Sequence, residues 1–482
     1  MRRLRWLVIG GLLMVWSGGI GELVAAEQEG PDTLDLETPG GAGPKSIEER
    51  VDELEQKQRI SDRLRELGQQ REEQRAKEAP VVGADQDGFF LRSASGKFEL
   101  RFRGYGQVQG RFFLGDKDQA GVENSLSIRR VRPIFEGRLY RYVTFKVMPD
   151  FQQGRVLLFD GYLGFDYWSA AQLRAGKFKP PVGLEMWQSA ADLLFVERGL
   201  TANLVPNRDI GAMVYGHLFN KRLDYKVGIF NGAGDNNPHS GTGSGSDTDG
   251  GNDFDTNNDK DYVISLLAQP FRSTQMEWLE GLQVGVAGTW GRDSGNSPRG
   301  FLRTPSMGRN DIRFFRYLTG VAITGDRWRV VPQVYYAWGP FSLLGEYVWN
   351  SQDLRALGGQ EERITNRAWQ VAMSYVLTGE AASFNGVKPW RLFNPAQGAW
   401  GAVEVAARYG EVLIDQDAFP LFADPTASAR KARVWTVGIN WHLAHRVKAQ
   451  FNYERGIFDG GAPNNQDFEQ ENAVLTQMQV AW

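Results

Sequence analysis

The sequence predicts an all-β membrane protein: a 16-stranded antiparallel transmembrane β-barrel preceded by a short coiled-coil helix. Three observations predict it. First, long segments alternate between apolar and polar residues, the period of a strand with two unlike faces. In KFELRFRGYGQVQGRFF (97–113) the even positions, from Phe98 to Phe112, hold no polar side chain, whereas the odd positions include Arg101, Arg103, Gln107, Gln109 and Arg111. Second, short and long connections alternate along the chain, as they do where a barrel has tight turns on one rim and loops on the other. Third, the N-terminus reads as a secretory signal, and no later apolar run reaches the ~20 residues of a spanning helix.

The elements follow in order. Residues 1–26 are read as a signal peptide, because Arg2, Arg3 and Arg5 precede the apolar run WLVIGGLLMVW and Val24, Ala25 and Ala26 offer a small-residue cleavage site. Residues 27–44, rich in Gly, Pro and acid, are a flexible linker. Residues 45–78 are a charged helix, expected in the periplasm. Its Ile47, Val51 and Leu54 stand 4 and 3 apart as a coiled-coil seam, and Ile60, Leu64 and Leu67 repeat that spacing after one slip of the heptad. Pro80 and Gly83 end it.

Residues 89–482 are the barrel. Outward apolar sets recur, such as Val143, Phe145, Val147 and Phe151 against Lys146 and Asp150, or Leu223, Tyr225, Val227 and Ile229 against Arg222, Asp224 and Lys226. Short turns are expected at YRY (140), WSA (168), NKR (220), WGP (338) and AHR (444), and long loops at 180–208, 231–260, 291–326, 412–432 and 456–471. Seventeen segments look like strands, but a single-chain bacterial barrel needs an even number. DIRFFRYLTGVAI (311–323) is therefore assigned to an external loop, since keeping it would put the long 351–366 connection on the short-turn rim. VLTQMQVAW supplies the closing strand, with Val474, Thr476, Met478, Val480 and Trp482 on its outer face. Sixteen strands leave an aqueous lumen.

Chemistry-bearing motifs are few. There is no cysteine, and His217, His239, His442 and His445 lack metal-ligand spacing. No phosphate cradle or nucleophile elbow appears, so no enzyme, cofactor or metal is expected. A net charge of −3 offers nothing to nucleic acid. The charge is nevertheless uneven: residues 97–179 hold fifteen Lys and Arg against eight Asp and Glu. The expected pore-lining and anion-binding set is Arg101, Arg103 and Arg111 on the first strand, Arg130, Arg132 and Arg138 on the second, then Lys146, Arg174, Lys177 and Lys179, and Arg198 and Arg208 in the loop 180–208. Arginine offers a planar fork to oxyanions and lysine a mobile point charge, and several such groups along a lumen allow hopping between sites. Arg101, Arg103, Arg130 and Arg132 are expected to form one basic patch. The competing reading pairs these cations with Glu99, Glu136, Asp150, Asp160 and Asp166 and leaves no anion preference. The loop 231–261 carries a net −6 and reads as a solvated external loop. Its alternate oxygens lack the twelfth-position glutamate of a calcium loop.

Several segments resemble the phosphate-selective O- and P-type porins: SIRRVRPIFEG at 127, RAGKFKPPVGLE at 174, FVERG at 195, NRDIGAMVYG at 207, SYVLTGE at 374, GAWGAVEVAARYG at 398 and FNYERG at 451. Their order spans 89–482; the N-terminal helix lies outside it. The resemblance implies a trimeric channel, an infolded third external loop (here 180–208) and Arg and Lys side chains lining an anion path. The expectation is an outer-membrane porin of a Gram-negative-type bacterium for passive diffusion of small anions, phosphate or related oxyanions. Its partners would be outer-membrane lipid and two further copies of the chain. Two readings stand beside it: a non-selective general porin, and an outer-membrane anchor whose coiled coil reaches into the periplasm.

Overall fold

The computed structural model describes residues 46–114, 124–152, 155–232, 258–293, 298, 301–306 and 313–482. The expected signal peptide and linker, and most of the acidic loop with its calcium question, lie outside the described residues. Among the described residues no helix is long and apolar enough to cross a membrane.

Helix α1 spans Ile47–Glu78. Ser46 and Glu49 start it as a reciprocal cap: the Glu49 amide donates to Ser46 Oγ at 3.2 Å and the Ser46 amide to Glu49 Oε2 at 3.0 Å. In the single chain its seam residues are exposed, Ile47 by 82% and Leu64 by 64%. A single helix is present; its pairing into a coiled coil is not part of this structure.

The wall consists of 16 antiparallel strands. They are β1 Phe98–Phe113, β2 Ser125–Leu139, β3 Val143–Gln152, β4 Arg155–Trp168, β5 Ala171–Phe178, β6 Asp209–Leu218, β7 Leu223–Phe230, β8 Asp261–Ala268, β9 Gln283–Arg292, β10 Ala322–Trp338, β11 Phe341–Arg355, β12 Glu361–Val376, β13 Ala402–Leu413, β14 Ala429–Ala444, β15 Val447–Ala462 and β16 Glu471–Ala481. Each pairs with its neighbour in sequence, and β16 closes on β1 with Met478 opposite Val108. Past this seam, Gly104 and Trp482 exchange both backbone hydrogen bonds at 3.0 Å. A short hairpin (81–92) then continues the wall, with Leu91 opposite Leu100. On β1 the outer face is the even one, with Leu100 40% and Val108 52% exposed, while Gln107 and Gln109 are buried in the lumen. A charge near the bilayer midplane costs ~2–4 kcal/mol, which keeps the arginines on the inner face.

Four details differ from the sequence expectation. The segment 311–323 is an external loop only as far as Val321: Phe315–Arg316 pair with Phe301–Leu302 off the wall, whereas Ala322 and Ile323 already belong to β10. The supposed long connection at 351–366 is the brief turn 356–360, because cross-strand pairs extend β11 and β12 into it. The turn rim is not uniformly short: 377–401 is a long connection there, with Val387 and Ala382 buried. Nor is the lumen water throughout. Loop residues Leu302, Phe314, Phe315 and Phe422 bury themselves with Leu204 and Val205 against the wall residues Val331, Leu354 and Ile364. Burying each large apolar side chain is worth ~1.5–3 kcal/mol, so the loops on that side form a packed core inside the barrel.

Candidate functional site

The connection 179–208 between β5 and β6 enters the lumen. Pro180 and Pro181 cannot continue the ladder, and Gly183, at φ 80°, turns the chain inward. The loop's polar backbone is then buried, and the wall supplies partners for it. Gln107 donates to the Ala190 carbonyl at 3.0 Å, Gln479 to Ala191 at 2.9 Å, Lys448 to Leu193 at 2.7 Å and Asn440 to Leu194 at 2.9 Å. Glu346 accepts from the Leu184 amide at 2.9 Å and from Thr201 Oγ1 at 2.6 Å. The loop thus bridges β1, β11, β14, β15 and β16 and divides the barrel.

Most of the expected cations meet a carboxylate. Arg101 pairs with Glu99 at 2.7 Å and with Asp85 of the hairpin at 3.0 Å. Arg103 takes Glu136 at 2.8 Å and Arg132 takes Asp150 at 2.8 Å. Lys146 and Arg208 share Asp160 at 3.0 and 2.8 Å. Arg111 and Arg130, with Arg129, converge on Glu197 of the loop at 3.1, 3.0 and 2.7 Å. Burial would push the Glu197 carboxyl up, but the guanidiniums of Arg129, Arg130 and Arg111 outweigh it and hold the group well below the ordinary carboxylate range. Lys179 and Arg198 turn back onto their own loop, both donating to the Gln188 carbonyl, at 3.1 and 2.7 Å. Arg138 lies exposed near the turn rim and Lys177 is buried at the loop's root.

The four-arginine patch does not form. Arg101 stands opposite Glu136 and Arg103 opposite Ile134, whereas Arg132 faces Tyr105 and Arg130 faces Gln107. The pairs are stepped along the wall rather than level. A β-bulge between Gln107 and Val108 also turns Arg129 inward beside Arg130. The sequence held a signal for it: Leu126 and Ile128 put apolar residues at even positions, and Val131, Pro133 and Phe135 put them at odd ones.

Between the loop and the turn rim lies a cavity of about 330 Å³ against β1–β5 and the end of β16. Arg103, Lys146, Arg174, Lys179, Arg208 and Arg446 line it against only two carboxylates, Asp160 and Asp192. Five of these cations were expected from the sequence. Arg446 was not, since it sits in the AHR turn; at φ 65° its backbone turns tightly and its side chain reaches toward Asp192, at 3.5 Å. Burial pushes the Asp192 carboxyl up, against the pull of Arg446, Lys448 and Arg103. Gly176, at φ 134°, lets β5 pass so close to β4 that an added Cβ would fall 2.3 Å from the Gly161 carbonyl. Tyr162 thereby comes to lie under Arg174.

A closed barrel with a loop folded across its bore and charged groups facing inward defines the class of outer-membrane channels. A family profile described as "Phosphate-selective porin O and P" matches residues 102–482. The chain belongs to that porin family. It is 31% identical to Porin O of Pseudomonas aeruginosa over 158 residues, which are 30% of this chain and 33% of that protein. The match thus spans about a third of the curated relative. Among solved structures, the outer membrane channel DcaP of Acinetobacter baumannii superposes at a TM-score of 0.51 with 10% identity, covering 83% of this chain and all of that one. OmpT of Vibrio cholerae reaches 0.47 at 11% identity, covering 80% of this chain and 98% of that one. At 10% identity the likeness to DcaP is one of fold.

Proposed function

We propose that this porin passes small anions passively across the outer membrane, with phosphate or a related oxyanion as its solute. The observation that carries the reading is the cavity beneath the infolded loop, where six cationic side chains face two carboxylates. In a narrow lumen of low effective dielectric such an excess attracts anions and repels cations. Of the lining residues, Arg174 and Lys179, with Lys146 and Arg208 that share one carboxylate, would carry the selectivity, while Arg103 and Arg446 are each opposed by a carboxylate of their own. Arg111, Arg130 and Arg132, engaged by Glu197 and Asp150, would chiefly hold the wall and loop together. The name of the family agrees with phosphate. The channel would work as a homotrimer, with α1 in the periplasm and its exposed Ile47, Val51, Leu54, Ile60, Leu64 and Leu67 pairing with the same seam of the other copies. The ion pairing of most other cations supports the non-selective reading as the competitor. Reversal potentials in a planar bilayer across a KCl gradient, then with phosphate replacing chloride, decide between them. Anion preference that persists in phosphate is expected; equal cation and anion permeability would leave a general porin.

A further inference from the structure

The cations of the lumen are not equivalent, and Arg174 stands apart. Its guanidinium carbon lies 4.2 Å from the Tyr162 ring centroid, 5.1 Å from Tyr215 and 5.6 Å from Phe178. Among the described residues no carboxylate comes within ion-pair distance of it, and its Nε is buried without a hydrogen-bond acceptor. Lys226, on β7, is likewise without an ion-pair partner among the described residues and lies 5.5 Å from the ring centroid of Trp187. Across β6, Arg174 stands opposite Met213 and Lys226 opposite Tyr215, so the two cations flank the same strand two residues apart in register. Of the nearby acids, Asp224 pairs with His217 at 2.5 Å and attracts Lys226 at longer range, and Asp166 accepts from the Tyr215 hydroxyl at 3.2 Å. Both Arg174 and Trp187 line the cavity.

Rings against a guanidinium hold it by cation–π attraction and cover its faces, but they accept none of its in-plane N–H donors. The Tyr215 hydroxyl also hydrogen-bonds the guanidinium, but Nε has no acceptor, and that edge has the geometry in which a guanidinium binds two oxygens of one oxyanion. A cation matched by a contacting carboxylate projects little net field, whereas Arg174 and Lys226, with no carboxylate in contact among the described residues, keep a positive field that a counter-ion can meet. We propose that Arg174 and Lys226, framed by Tyr162, Phe178, Tyr215 and Trp187, form the binding site at which an oxyanion group, carboxylate or phosphate, is held on its way through the channel. This rests on the anion-path reading and locates its selective step. Nε and one Nη of Arg174 donate to two oxygens of the group, Lys226 supplies the second charge, and the aromatic frame fixes the guanidinium without neutralising it.

The test uses the purified full-length protein in planar bilayers, with inorganic phosphate or acetate added to KCl and the concentration that halves the chloride current as readout. Arg174→Gln is expected to raise that concentration about tenfold, and Lys226→Gln to raise it by less, since a bidentate charge-assisted pair is stronger than a point contact. Arg174→Lys keeps the charge and loses the fork, so it should retain anion preference while block weakens. Loss of phosphate block alone assigns the site to phosphate, and loss of acetate block alone assigns it to carboxylates. Folding is read from heat-modifiable gel mobility; if Arg174→Gln does not fold, Arg174→Lys decides. Unchanged block in a folded Arg174 variant overturns the proposal while leaving the anion path standing. Cation preference in the unsubstituted channel overturns both.

Discussion

Two arginine-bearing regions of the lumen invite comparison. Around Glu197 three guanidiniums crowd one buried carboxylate; around Arg174 one guanidinium meets three rings and no carboxylate. The first region has more positive side chains, yet each is committed to the loop. The second has fewer, yet its charge is available. Number of cations and availability of charge are therefore separate properties, and only the second bears on a passing solute. The cluster at Glu197 does mechanical work: it fastens the loop to β1 and β2 from inside.

The comparison is broken most severely by removing the shared carboxylate. Glu197→Gln leaves three buried guanidiniums facing one another, and breaking a buried pair costs ~3–5 kcal/mol. The expected outcome is a lower thermal transition, measured by the gel-mobility shift on heating, with a larger and noisier single-channel conductance as the loop loosens. Arg130→Ala should act in the same direction but less, because Arg111 and Arg129 still hold Glu197. If Arg130→Ala instead altered ion selectivity at unchanged stability, the division between fastening and selecting would fail. Smaller still is the effect of Arg101→Ala. Its pairs with Glu99 and Asp85 are partly exposed, and such pairs contribute ~0–1 kcal/mol. Denaturant unfolding should barely shift, and selectivity should not change.

Acid sharpens the same contrast. The folded-state value of Glu197 is depressed below its ordinary 4.5, so the stability it contributes is fully present above pH 4.5 and is lost only as pH falls through the depressed value. Thermal stability measured from pH 7 down to pH 4.5 should therefore show no loss from this group, with the decline confined to stronger acid. A decline already complete at pH 5 would mean the carboxylate is not clamped as the geometry has it.

The wall was largely legible in the sequence, since a strand with lipid on one side and water on the other must alternate, and the sorting of turns and loops sets this apart from a soluble sheet with one buried face. The even count was legible too, because a seventeenth strand would have put the chain's ends on opposite sides. Relative height along the wall was not. β1 and β2 are joined through the long connection 114–124, and only a tight turn fixes register. Hence the expectation of one patch from Arg101, Arg103, Arg130 and Arg132 could not foresee that Arg101 faces Glu136 and Arg130 faces Gln107. Asp150 and Asp160 were recognisable as partners for neighbouring cations because they lie on adjacent strands. Glu197 was not assigned to Arg111 and Arg130, because a loop that folds across a bore brings together residues with no fixed offset. Arg174 was one of many inward basic residues in the sequence, for nothing local marks the absence of an acid partner.

The cavity lies between the loop and the turn rim, to one side of the barrel, while the opposite flank above the loop is filled by apolar side chains. An ion crossing such a bore meets its attractive charges near one mouth rather than midway. The energy profile along the path is then lopsided, and an applied voltage tilts it differently according to its sign. Current carried by anions should rise faster under one polarity than under the other, so a channel with no moving gate would behave as a weak rectifier.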